Sequence, residues 1–143
     1  MGGKYRTEFN HTVAACLVLI LYLTGMRPGE VAMLAQRCLR EVRDPYTGEV
    51  LRWKVVGVPE KRRTKGAGQA SGRKVAEWVV PEPAARAIEL LEALYAPFRE
   101  RSGSRLLLLN LRVLFPGAKP DPKGFPMSVK CIWWALRSFQ DMV

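Results

Sequence analysis

Residues 13–23, VAACLVLILYL, are eleven apolar side chains in a row, and TGMRPGE follows at once. A helix that is apolar all round must be surrounded by protein or lipid, so this run limits the fold more than any other segment. A helix that spans a bilayer needs about 20 apolar residues, and the run stops short. A secretory leader is the sharper rival, because Lys4 and Arg6 precede an apolar stretch of suitable length. Against it stand Glu8 in the would-be basic region and Thr24-Gly25-Met26-Arg27 where a small-x-small cleavage site belongs. The run reads as a helix from near Thr12 to Thr24, buried on all sides, with Gly25 as the left-handed residue that ends it.

The next residues break a local rule. Pro28 suits the first position of a new helix, where its missing N–H costs nothing, and Glu30 complements the helix dipole from the first turn. That leaves Arg27 at the N-cap, where an acceptor such as Ser or Asp is preferred. An arginine cannot accept a hydrogen bond, and its charge faces the positive end of the dipole. Two readings follow. Arg27 is an ordinary elbow residue, salt-bridged to Glu30 or simply exposed, or it is a cation placed beside free helix N–H groups to hold a phosphate.

Behind the corner the pattern changes from helix to strand. CLREV and EVLRWKVVGV are joined by RDPYTGE, rich in turn formers, and VAEWVV supplies a third strand of a small antiparallel sheet. EPAARAIELLEALYAPF then places apolar residues at 84, 87, 88, 91, 94 and 95, one face of a helix. RERSGSRLLLLN and FPGAKPDPKGFP read as loop and linker. In SVKCIWWALRSFQDMV, Ser128 is an N-cap, and Val129, Ile132, Trp133, Leu136 and Phe139 or Gln140 recur at helical intervals. Trp133 and Trp134 read as packing residues. The expected fold class is α+β, mainly helical, with a three-stranded antiparallel sheet. At 143 residues and 48% apolar composition the chain is one domain with a real core. Cys16, Cys38 and Cys131, widely and irregularly spaced, read as reduced thiols of a cytosolic protein with no metal-binding pair.

The charge points to a partner. The formal net charge is +10, and residues 61–74, KRRTKGAGQASGRK, carry six basic side chains and no acid. Nucleic acid is the first candidate for such a polyanion-seeking surface; a solvated loop is the plainer reading.

An apolar helix, TGMRPGEVAML, strands with a Thr-Lys in the hairpin, and a third strand ending in Val-Pro before an Ala/Leu-rich helix resemble the catalytic domain of tyrosine recombinases, the phage integrase family. The resemblance covers roughly residues 12–95. It implies a metal-free phosphoryl transfer on double-stranded DNA, without cofactor, through a 3′-phosphotyrosyl intermediate, by an enzyme that is oligomeric on DNA. Cations are needed there because negative charge builds on the non-bridging phosphate oxygens. By the resemblance, Arg27 is the first catalytic arginine, whose planar fork suits two phosphate oxygens, and Glu30 helps to fix it, a role compatible with simple capping. Lys65 matches the hairpin lysine that protonates the leaving 5′-oxygen; Lys61 and Lys74 compete for that role, and Arg62, Arg63 and Arg73 would lower the lysine's pKa. Alternatively, Lys61, Arg62, Arg63, Arg73 and Lys74 simply touch the DNA backbone.

The departures are as definite as the matches. The family's site is completed downstream by a His-x-x-Arg motif, a further His or Trp, and the tyrosine nucleophile, and this chain has no histidine after His11. Tyr5, Tyr22, Tyr46 and Tyr95 lie in the wrong segments. The N-terminal arm domain is also absent. Residues 1–143 therefore read as a truncated catalytic domain that holds about half an active site and is inactive for strand cleavage. Two other classes remain open: a non-catalytic basic nucleic-acid-binding module, and a small interaction domain that docks through its C-terminal helix.

Overall fold

The computed structural model describes residues 3–60, 75–111, 119 and 121–142. The apolar run lies in α1 (Gly3–Thr24), which starts nine residues before the expected Thr12 because the polar segment ahead of the run continues the helix. Its inner stripe, Val13, Ala14, Cys16, Leu17 and Ile20, is buried. The helix is not enclosed on all sides as expected: Tyr22 is 86% exposed and Leu19 is also exposed. At 22 residues α1 is also long and apolar enough, by length and composition, to cross a membrane, a test that core helices of soluble proteins and N-terminal signal sequences pass as well.

Gly25 ends α1 with φ +68, and its N–H donates to the Leu21 carbonyl at 3.2 Å. Thr24 braces the same corner. Its hydroxyl donates to the Ile20 carbonyl at 2.6 Å and accepts the Met26 N–H at 3.2 Å. The chain turns into α2 (Pro28–Ala32), a single short turn with Pro28 at its first position.

Three strands follow in sequence order: β1 (Leu39–Arg43), β2 (Val50–Gly57) and β3 (Ala76–Val80), all antiparallel. The β1–β2 turn is built by Asp44, whose Oδ1 accepts the N–H groups of Tyr46 and Thr47 at 2.7 and 2.9 Å. Those two bonds hold the Asp44 carboxyl below its ordinary pKa. One face of the sheet carries the fully buried Val55 and Val80 toward the helices. Strands and turn lie where their sequence patterns place them.

α3 (Glu82–Ser102) extends past the expected Phe98, through Pro97, to a left-handed Gly103. Its apolar face of Ala84, Ala87, Ile88, Leu91 and Tyr95 packs on α1, with Phe9, Tyr95 and Phe98 edge to face at 5.4–6.4 Å between ring centres. The following segment is not the loop its composition suggests. Leu107, Leu108 and Leu109 are fully buried, because Ala35 bridges Leu106 and Pro126 bridges Leu109 in two short antiparallel contacts. α4 (Val129–Met142) closes the core against α1 with Ile132, and Ser128 Oγ accepts the Cys131 N–H at 3.2 Å as its cap. The class is α+β, as expected.

Candidate functional site

The corner residue keeps the extended backbone of an N-cap, with φ −80 and ψ 150. The Arg27 carbonyl accepts the first intrahelical bond from the Val31 N–H at 3.1 Å and, because a guanidinium offers the Glu30 N–H no acceptor, that N–H as well at 2.9 Å, so these two N–H groups are not free as the sequence reading expected. Glu30 supplies the reciprocal bond: its Oε2 accepts the Arg27 N–H at 2.8 Å. Its other oxygen, Oε1, accepts the Glu60 N–H at 3.0 Å, across 30 residues of sequence. Glu30 is only 9% exposed, so one buried carboxylate ties the Arg27 corner to the tail of β2. That tail is where residues 61–74 depart. The Glu60 carboxyl itself lies against the first turn of α2, with its atoms 3.4–3.5 Å from where a Cβ on Gly29 would stand.

Of the two plain alternatives for Arg27, the ion pair with Glu30 does not form among the described residues, since both carboxylate oxygens face backbone N–H groups, and exposure on the elbow is what is observed. The Arg27 guanidinium is exposed and has no hydrogen bond or ion pair with any described residue. Its backbone is fixed while its donors remain available to a ligand. Five planar donors at such a position can grip two oxygens of one phosphate.

Lys61, Arg62, Arg63, Lys65, Arg73 and Lys74, the remaining anticipated site residues, lie outside the described residues. Glu60 was not among those anticipated, and nothing in its side chain signals the role, since its backbone N–H is what Glu30 holds. Among the described residues no group of three or more His, Cys, Asp or Glu side chains could hold a metal ion.

Two other features stand apart from the corner. An open, largely apolar groove of about 920 Å³ runs between α1, α3 and α4, lined by Phe9, Tyr95, Phe98, Leu109, Met127 and Trp134. Burial pushes the Tyr95 hydroxyl well above its ordinary pKa, so it stays protonated and is a poor nucleophile. Trp133 and Trp134 correct the packing role read from their spacing: they are 59% and 55% exposed, because Ile132 alone among the buried residues carries α4 into the core. All three cysteines are free thiols, with Cys16 and Cys38 buried. Comparison of the chain with protein-family models, curated proteins and solved structures finds no match in any of the three.

Proposed function

We propose that this chain is part of the catalytic domain of a tyrosine recombinase, carrying the first catalytic arginine, Arg27, and the hairpin lysine, Lys65, of a site-specific DNA strand transferase. The observation that supports this most is the Glu30 carboxylate, which joins the backbone of Arg27 to the root of the basic segment and leaves the guanidinium unpaired among the described residues. A phosphate docked at Arg27 would then lie close to the point where residues 61–74 begin, which is what a two-cation transition-state clamp requires. The reading takes double-stranded DNA as substrate, uses no metal or cofactor, places the protein in the cytoplasm and makes the parent enzyme oligomeric on DNA.

This chain alone has half of that site, so it should bind duplex DNA in a salt-sensitive way and form no covalent adduct on a nicked suicide duplex. An adduct would overturn the half-site reading. In a longer chain that includes the His-x-x-Arg segment and the tyrosine, Arg27→Ala should lower the rate of adduct formation on the order of 10²-fold or more, with a much smaller loss of binding. Parallel loss of both would favour a non-catalytic binding module.

One observation favours a second reading, an interaction domain. Trp133 and Trp134 on α4 are more than half exposed, and large aromatics of this kind anchor protein interfaces. A clean monomer that binds no DNA would support it.

A further inference from the structure

The outward face of the sheet departs from ordinary strand pairing. Register places Arg40 of β1 directly opposite Lys54 of β2, and Arg52 two residues along β2, opposite Val42. Directly paired residues share a face, and like charges so placed repel by tenths of a kcal/mol up to roughly 1. Lys54 Nζ reaches Glu77 Oε1 of β3 at 2.9 Å, so the acid lies on the same face. The opposite face is the covered one, with Val55 and Val80 buried and the Arg86 guanidinium 5.8 Å from the Trp53 ring centre.

The outward surface therefore presents Arg40, Arg52 and Lys54 against a single acid, Glu77, interleaved with Val42, Val56 and Val79. Elsewhere on the strands charge is matched: Arg43 Nε donates to Glu41 at 2.8 Å. The side chains of Arg40 and Arg52 have no hydrogen bond or ion pair among the described residues, and both are exposed. Among the described residues the face pairs cations with valines and offers no aromatic ring on which a base could stack, so it suits phosphate oxygens rather than bases. By ordinary strand geometry the backbone positions that carry these cations lie about 5 Å apart across the strands and about 7 Å apart along β2, so the charge is spread over the face and not gathered at one point.

We propose that this sheet face is a second contact for the phosphate backbone of duplex DNA, separate from the Arg27 corner. It depends on the recombinase reading only for the choice of DNA as the polyanion. Binding of short duplex DNA is measured across a salt series for the wild-type chain, for Arg40→Gln/Arg52→Gln, and for Lys61→Gln/Arg62→Gln/Arg63→Gln. Each phosphate contact contributes about 0.9 to the slope of log K against log salt, so the sheet variant should lose a slope of about 2. The segment variant should lose slope independently. Arg40→Gln removes the repulsion with Lys54, so its melting temperature should equal or exceed the wild type's and misfolding would not imitate the effect. A sheet variant with the wild-type slope overturns the proposal and leaves the Arg27 reading standing. A wild-type chain that binds no duplex DNA overturns both.

Discussion

Arg27 and Arg99 are the same side chain in opposite surroundings. Arg99 is buried on α3, donates to the Leu107 carbonyl at 3.0 Å and to the Glu92 carbonyl, and lies 3.7 Å from the Glu92 carboxylate. Glu92 in turn accepts the N–H of Arg37, a non-glycine residue with φ +58, on both oxygens at 3.0 Å. In that cluster the guanidinium is spent on the fold: it pins the buried leucine segment to α3 and steadies the strained entry to β1. At the elbow the carboxylate fixes the backbone and the guanidinium stays open. Burial and partnership, not residue type, separate a structural arginine from one available to a ligand.

The contrast breaks most easily at Arg99. Arg99→Ala should destabilise the fold by about 3 kcal/mol in urea, because it leaves two carbonyls and a half-paired carboxylate without their donor. Arg27→Ala should change stability by less than about 0.5 kcal/mol. Equal losses would erase the distinction. Glu30→Ala comes next, at about 1–2 kcal/mol, since two backbone N–H groups lose their acceptor at once. Glu30→Gln keeps one of the two bonds and should fall between. Amide exchange at Glu60 measures this locally: it should quicken in Glu30→Ala and stay unchanged in Arg99→Ala.

A smaller effect lies in the alkaline range. Burial, with the Glu92 charge adding to it, pushes the Cys38 thiol up from 9.0 to about 12. Below pH 9 the thiol is neutral in both folded and unfolded chains and adds no pH dependence. Above it the unfolded chain releases a proton that the folded chain keeps, so stability falls until the folded thiol ionises near 12. Denaturant midpoints taken on either side of pH 9 should show this decline. Cys38→Ala should flatten it only in part, because Tyr95 is shifted in the same direction.

What could be read from the chain follows from how local each determinant is. The strands, the Asp44 turn and the α1–α2 corner rest on residues within a few positions of one another, and they form where their patterns put them. The inner face of α3 was legible for the same reason, a 3.6-residue period. The burial of Leu107, Leu108 and Leu109 is not legible in the sequence because the segment is held by bridges from Leu106 to Ala35 and from Leu109 to Pro126, which no local pattern encodes. Trp133 and Trp134 fit a helical period but stay more than half exposed, Trp134 at the groove between α1, α3 and α4, since period alone does not say which side of a helix meets the core. At the candidate site the position of Arg27 was legible as a violated capping rule. The bond from Glu60 to Glu30 was not, because it uses only backbone on the Glu60 side.

On the recombinase proposal, the Arg27 guanidinium is an open phosphate-binding group on a backbone that Glu30 fixes. Arginine Nε–Hε resonances followed by NMR while duplex DNA is added at low salt test it directly. The Arg27 resonance should move to saturation while that of Arg99 stays fixed. A stationary Arg27 resonance, alongside shifts in Arg62, Arg63 and Arg73, would contradict the claim and reduce the corner to a structural elbow.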